Sequence, residues 1–264
     1  MATTARTYRT EAIIVRRTDF GEADRIVTLY TAAYGKVRAV ARGVRRPRSK
    51  LGGSLELFSH TEAQLARGRD LDIITQAEIV RAYHHLRDDL WRTSLACYAA
   101  ELIDRLNEVQ QPNPPLFVLL RDTLGYLDEG GPAEALVMRR FETQLLGLLG
   151  YLPELYRCTA CSARLQPGRL YYSEASGGAL CSDCGPGQQR ARPVSVRAIK
   201  TLRLLAQKSL DYTTRLQVGA STAVEVEELL QASVTYILER RPRAAEFLGR
   251  LKADGLAPAA VRSR

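Results

Sequence analysis

Four of the five cysteines fall in two C-x2-C pairs, "CTAC" and "CSDC", which place Cys158, Cys161, Cys181 and Cys184 with 19 residues between the pairs. Each pair can offer two thiolates to one tetrahedral ion while the segment between them folds back, and the spacing suits a tetrathiolate zinc site. "LYYSEASGGAL" reads as that fold-back: β-formers, a Gly-Gly turn, then an apolar step into the second pair. Two disulfides are the alternative, disfavoured if the chain is cytosolic, where thiols stay reduced. A redox C-x-x-C would leave one pair without a role. Catalytic zinc fits poorly, because four thiolates close the shell that a catalytic ion keeps open for water. Neither cysteine pair is preceded by Pro, so the nucleobase-deaminase pattern is missing too. The expectation is one structural zinc ion that folds an insertion of ~30 residues, too small for a core of its own. Cys97, inside a helical pattern, reads as a small core residue.

The second chemical feature is charge. "KVRAVARGVRRPRSKLGG" carries Lys36, Arg38, Arg42, Arg45, Arg46, Arg48 and Lys50 and no carboxylate. In a strand over this segment, Lys36, Arg38 and Arg42 share one face and Val37, Ala39 and Ala41 take the other. The cations then continue into a loop punctuated by Pro47 and Gly52-Gly53. Such a run repels itself unless a polyanion or salt neutralises it, so it reads as a nucleic-acid groove, with a solvated loop as the plain alternative. Single-strand binders pair such grooves with stacking aromatics. Of Tyr8, Phe20, Tyr30, Tyr34 and Phe58, Tyr34 beside the Gly35 turn is the best candidate for exposure. A second basic run holds Arg190, Arg192, Arg197, Lys200, Arg203 and Lys208 without Asp or Glu. It could extend a nucleic-acid path, receive an acidic peptide, or be a solvated helix face.

No catalytic constellation accompanies these features. The three histidines are His60, His84 and His85, the last two at a strand-to-helix junction. There is no phosphate loop and no Gly-x-Ser-x-Gly elbow. Asp88-Asp89 and Glu227-Glu228 are adjacent residues in helical patterns and point apart, as solvated faces do. A binding protein is expected rather than an enzyme.

The elements that position these residues change in character along the chain. The first 80 residues read as five short strands, "EAIIVRR", "DRIVTLYT", "KVRAVAR", "SLELFSHTEAQLAR" and "LDIITQAEIV", with glycines between or beside them. That count suits a small antiparallel barrel of the oligonucleotide/oligosaccharide-binding (OB) kind, though an SH3-like barrel would look similar. From about residue 85 the period becomes helical: Leu95, Ala99, Leu102 and Leu106; then "PPLFVLLRDTLGYLDEG"; then Val137, Phe141, Leu145 and Leu148 after Pro132. Helical spacing resumes with Ile199, Leu202 and Leu205, and again with Val226, Leu230, Val234 and Ile237. The fold class expected is therefore α+β: an N-terminal five-stranded OB-fold barrel, then an all-helical domain carrying an inserted four-cysteine zinc module. The boundaries are 1–82 for the barrel, 83–152 and 191–254 for the two parts of the helical domain, 153–190 for the zinc module and 255–264 for a frayed tail.

Composition agrees with a soluble, nucleic-acid-binding chain. The 264 residues are 45% hydrophobic and 25% charged, with a net charge of +9. Residues 1–84 hold 15 Lys/Arg against 9 Asp/Glu, residues 85–157 hold 7 against 11, and residues 158–264 hold 16 against 9. Two basic regions thus flank an acidic one. No apolar run approaches a membrane span, and the N-terminus lacks a signal-peptide core, so the cytosol is the expected compartment.

Two longer stretches carry a family resemblance. "DFGEADRIVTLYTAAYGKVRAVARGVRRPRSKLGGSLELFSH" resembles the N-terminal signature of the RecO family of bacterial recombination mediators. It has an acidic pair, an aliphatic strand, a Thr-x-x-x-Gly-Lys turn and a Gly-x-Arg-Arg loop. "FETQLLGLLGYLPELYRCTACSARLQPGRLYYSEASGGALCSDC" is similar to the family's central segment, with Leu-Leu-Gly-Tyr-x-Pro, a first cysteine pair, Gly-Gly and a second pair. The resemblance covers most of the chain to about residue 190. It implies an OB fold, a helical domain and an inserted zinc module with all four ligand positions filled here. It also implies an activity: binding single- and double-stranded DNA, annealing complementary strands and helping to load the RecA recombinase onto DNA coated with single-strand-binding protein. The partners implied are DNA, RecR and the acidic C-terminal tail of the single-strand-binding protein, with a functional link to RecF and RecA, no membrane, and a cytoplasmic, nucleoid-associated location. An RNA-binding, translation-associated OB and zinc-ribbon protein is the main competing reading. A zinc-dependent nucleotide-modifying enzyme and a scaffold for acidic tails are the others.

Overall fold

The computed structural model describes residues 6–258, and the chain divides into two compact units, 1–130 and 131–264. Five strands open the first: β1 Thr7–Phe20, β2 Asp24–Thr31, β3 Gly35–Ala41, β4 His60–Ala66 and β5 Asp72–Arg81. They close into a barrel in the order β1-β2-β3-β5-β4, with β3 and β5 joined as a parallel pair and every other pair antiparallel. This connectivity is OB-like. Ala12, Ile14, Val27, Leu29, Val37, Ala39, Ala41, Ala63, Leu65 and Ile74 fill the interior. Four of these ten are alanines, and small residues suit the narrow lumen of five strands.

The fourth strand is shorter than the sequence pattern predicts. Residues 53–55 form a 3-10 turn and Phe58 takes a left-handed φ of 69°, so pairing begins only at His60. Leu55 and Phe58 are buried where the extended pattern would have put a strand.

Helices α1 Leu90–Leu106 and α2 Pro114–Glu129 belong to the same unit as the barrel. Asp89 caps α1 by accepting from Arg92 N–H at 2.9 Å, and Asn113 caps α2 from Leu116 N–H at 3.2 Å with Pro114 at the first helical position. Asp89 is therefore a cap and not part of a solvated pair. Helix α1 packs on β1 and α2 on β2, which explains why Ile13 and Tyr30, paired across β1 and β2, are both buried.

The second unit holds α3 Glu134–Leu148, α4 Val196–Gln207, α5 Leu210–Arg215, α6 Ala220–Leu238 and α7 Arg243–Ala253, with a sheet of order β7-β6-β8 between α3 and α4. Those strands are β6 Leu170–Ser173, β7 Gly178–Leu180 and β8 Arg192–Val194. The segment expected as one helical block over 83–152 is thus divided at residue 130. Leu155, Leu165, Leu170, Tyr172, Leu180 and Val194 share one core with Leu146, Ile199, Leu202, Leu205, Val226 and Leu230. The cysteine-bearing segment consequently leans on the helices for its apolar interior. Glu227 is drawn into this packing: its carboxylate lies 3.9 Å from Arg139 and also takes the Lys252 ammonium. Burial works against the Glu227 carboxylate, but Arg139 and Lys252 outweigh it and hold the group below its ordinary range. The tail expected over 255–264 begins as a helix cap, since Gly255 (φ 71°) and Leu256 donate to the Lys252 and Leu251 carbonyls. Ala257 is buried, and residues from 259 lie outside those described.

Candidate nucleic-acid interface and metal centre

The candidate metal centre is built by two tight turns. Glu154 lies as a parallel bridge against Gly178 at the start of β7, donating to the Gly177 carbonyl at 2.9 Å and accepting from Ala179 N–H at 2.8 Å. A Cβ on Gly178 would fall 2.3 Å from the Glu154 carbonyl oxygen, so the approach requires glycine there. The Glu154 carboxylate then accepts from the backbone N–H groups of Tyr156 and Arg157, which holds its pKa down and turns the chain into the first cysteine pair. Cys158 N–H donates to Ala163 O, Ser162 N–H to Cys158 O, and Gly185 N–H to Cys181 O, closing both turns.

The four sulfur atoms of Cys158, Cys161, Cys181 and Cys184 all lie within 4.8 Å of one another, with Cys161 and Cys181 Sγ 4.0 Å apart. A tetrahedron of thiolates around zinc, with bonds of ~2.3 Å, has edges of about 3.8 Å. The four thiols are free of disulfides. Burial opposes the Cys158 thiolate, but backbone N–H groups of Cys161, Cys181 and Ala160 outweigh it and bring that thiol down to about 6. The neighbouring cysteine side chains push Cys184 up to about 12. Several thiolates this close repel one another unless a cation sits among them, so the donor set fits a metal ion.

The basic face is set by a bulge. Pairing between β1 and β2 shifts between Ile14 and Arg16, so Val15 is an extra residue and everything after it changes side. Ala12 and Ile14 point into the barrel, whereas Arg16, Thr18 and Phe20 turn outward. Arg16 stands opposite Thr28, and Thr28 opposite Arg38. Thr18, Ile26 and Val40 form the next row. Arg16, Thr18, Ile26, Thr28, Lys36 and Arg38 line a groove of about 510 Å3, closed along one side by Asp104, Arg105 and Val109.

The seven cations expected in this region do not behave alike. Arg38, Arg42, Arg46, Arg48 and Lys50 are exposed and have no side-chain partner among the described residues. Arg45 lies 3.6 Å from Asp19 and donates to the Gly21 carbonyl at 3.4 Å. The Lys36 side chain is only 11% exposed, sits 3.6 Å from Asp104 Oδ1 and donates to the Asp104 carbonyl oxygen. The aromatic expectation changes as well. Tyr34 is half-buried and packed at a tilt against Tyr8, the ring centres 4.5 Å apart, with the Arg67 guanidinium over the Tyr8 ring at 4.8 Å. Tyr30 and Phe58 are buried, and Phe20 is 55% exposed. The outward turn of Arg16 and Phe20 is not legible in the sequence, because the bulge decides their face.

The second basic run is mixed. Arg192 pairs with Glu174 at 2.7 Å. Arg203 donates to the Leu155 carbonyl and lies 4.5 Å above the Tyr156 ring. Arg190, Arg197, Lys200 and Lys208 are exposed, with Lys208 5.3 Å from the Tyr212 ring. His60 is buried between Glu11, 3.5 Å away, and the Phe117 ring. His84 and His85 are exposed where the chain enters α1. Among the described residues, no helix is long and apolar enough to cross a membrane.

Two family models match the chain: Recombination protein O N terminal over residues 2–83 and Recombination protein O C terminal over residues 87–246. Their boundary agrees with the end of the barrel. The chain is similar to "DNA repair protein RecO" of Roseiflexus sp. (strain RS-1), 46% identical over 243 residues that cover 92% of this chain and 85% of that one. It is similar to the protein of that name from Dehalococcoides mccartyi (strain CBDB1), 38% identical over 93% of this chain and 96% of that one. The protein of that name from Symbiobacterium thermophilum is 36% identical over 93% of this chain and 98% of that one.

Proposed function

This chain belongs to the recombination protein O family of DNA repair proteins, and on that footing we propose that it is a DNA-binding recombination mediator without catalytic chemistry of its own. The observation that carries the reading is the outward row of unpaired cations on the barrel. Arg38 on β3 and Arg42, Arg46, Arg48 and Lys50 in the turn and loop after it are exposed and unpartnered among the described residues. Arg16 stands beside them on β1 across Thr28 but is not unpaired, since its guanidinium lies 3.4 Å from the Asp104 carboxylate. Such a row neutralises phosphates and leaves base edges untouched, so it binds single- and double-stranded DNA with little sequence preference. Screening two backbones while leaving bases free to pair is what annealing of complementary strands requires. Lys36 contributes through its hold on Asp104 rather than by touching DNA.

The same reading places one zinc ion on Cys158, Cys161, Cys181 and Cys184, where four thiolates leave no position for substrate and the metal's work is structural. It makes the exposed Arg190, Arg197 and Lys200 a second cationic contact, for DNA or for the acidic tail of single-strand-binding protein. It also takes RecR as a direct partner, RecF and RecA as functional ones, and the cytoplasmic nucleoid as the working location. The test mixes two complementary DNA strands, each coated with single-strand-binding protein, and follows duplex formation and RecA loading with and without the chain. Faster annealing and RecA loading are expected. No acceleration of either would overturn the mediator reading.

A further inference from the structure

We propose that Phe20 is a nucleobase-stacking platform that lets this barrel hold a single strand differently from a duplex, an inference that rests on the DNA-binding reading above. The β1 bulge turns Phe20 to the same side as Arg16 and Thr18. Four residues of strand separate Phe20 from Arg16, about 13 Å. Phe20 pairs with Asp24, and the β2–β3 register carries that row on toward Arg42. A large aromatic ring, 55% exposed, thus stands on a face bounded by Arg16 and Arg38 at one end and Arg42 at the other.

The basic loop is tied to the same hairpin. Gly43 N–H donates to Asp24 Oδ1 at 2.7 Å, Arg45 N–H donates to Ala23 O at 2.9 Å, and Arg45 reaches the Gly21 carbonyl beside Phe20. The nearby acids are largely engaged: Asp19 accepts from Arg25 at 2.8 Å and lies near Arg45, and Asp24 caps Gly43. Glu22, in the turn itself, is exposed. Leaving a phenyl ring in water costs the fold apolar burial that a polar turn residue would not forgo. The other four aromatics of the barrel are buried or packed against one another. A ring among cations on an OB face is the arrangement that takes an unstacked base, with phosphates on the flanking guanidinium groups. Bases inside a duplex are already stacked and cannot use it.

The experiment measures binding of the full chain to an oligo-dT strand, to an abasic strand of the same length and to a duplex of that length. Phe20→Ala is expected to weaken oligo-dT binding by about fivefold or more, with abasic and duplex affinities unchanged. Phe20→Trp is expected to keep oligo-dT affinity and to show fluorescence quenched by oligo-dT but not by the abasic strand. The single native tryptophan, Trp91, is buried in α1 and does not report on this face. Equal oligo-dT binding by Phe20→Ala, or equal losses on all three probes, would overturn the stacking site and leave the DNA-binding reading standing. A wild-type chain that binds none of the probes would overturn both.

Discussion

The Lys36 ammonium lies 3.6 Å from Asp104 Oδ1 on α1 and donates to the Asp104 main-chain oxygen as well. One residue pair further along the same face of β3, Arg38 is exposed and unpartnered. Two cations of equal parity in one strand therefore do different work, the first joining barrel to helix and the second facing solvent in the groove.

Separate substitutions resolve these roles. Arg38→Glu is expected to leave thermal stability near wild type and to weaken DNA binding for every sequence. If about five cations touch single-strand phosphates, log K falls with log salt at a slope of roughly −3.5, and Arg38→Glu flattens it by at least about 0.7. Lys36→Ala is expected to lower stability by about 1–3 kcal/mol, because the Asp104 main-chain oxygen loses a largely buried charged donor while Arg16 still faces the Asp104 carboxylate, with little change in the slope. Salt titrations of affinity beside denaturant melts of both variants check the division.

Metal removal tests how far the cysteine module depends on the proposed ion. Its apolar side belongs to the core made with α3, α4 and α6, and the Tyr172 hydroxyl is 2.8 Å from Ser233 on α6. Chelation is therefore expected to release the two cysteine turns first. Amide hydrogens of Ser162 and Gly185 should lose protection, while those within β6 and β7 keep most of theirs. Hydrogen exchange with and without chelator reads this directly. Uniform loss across residues 154–194 would mean that the ion, and not the shared core, holds the sheet.

Gly35 begins β3 with φ 66°, and a Cβ there would sit 2.0 Å from the Gln111 carbonyl oxygen. The close approach comes from residues 109–110, which pair with Lys36 and place Gln110 N–H 2.9 Å from its carbonyl. Gly35→Ala must therefore strain the backbone and push that segment away. A loss of about 2 kcal/mol or more is expected in denaturant unfolding, together with weaker protection of the Gln110 amide.

Much of this is legible in residue order, and the exceptions share a cause. The barrel strands show through alternation and turn glycines, and the cysteine cluster through spacing, because both signals are local. The groove is only half legible. Lys36 and Arg38 have the same parity, and only the packing of α1 on the barrel separates them. Phe20 shares parity with Ala12 and Ile14, which face inward, and nothing in the sequence marks Val15 as the bulge that reverses it. Tyr34 reads as exposed beside its turn, yet Tyr8 and Arg67 come from other parts of the barrel to cover it. Glu227 reads as a solvated acid until the Arg139–Lys252 pocket is in place. What fails to show in sequence here is the long-range partner.

His60 gives the last prediction. Burial against Phe117 lowers its pKa below the ordinary 6.5, and Arg121 adds to that, while Glu11 at 3.5 Å pulls the other way without prevailing. The folded state thus keeps the imidazole neutral at a pH where the unfolded chain already protonates it. A group with a depressed folded pKa contributes stability that is fully present above its unfolded value and is lost as pH falls toward the folded one. The barrel unit should lose stability progressively below about pH 6.5, ending at the folded pKa of His60. His60→Gln, which cannot take up the proton, should start less stable at about pH 7.5 and show a shallower decline between about pH 6.5 and 5.5. Denaturant unfolding of the two proteins across that range checks the sign, and parallel slopes would exclude His60 as the titrating group.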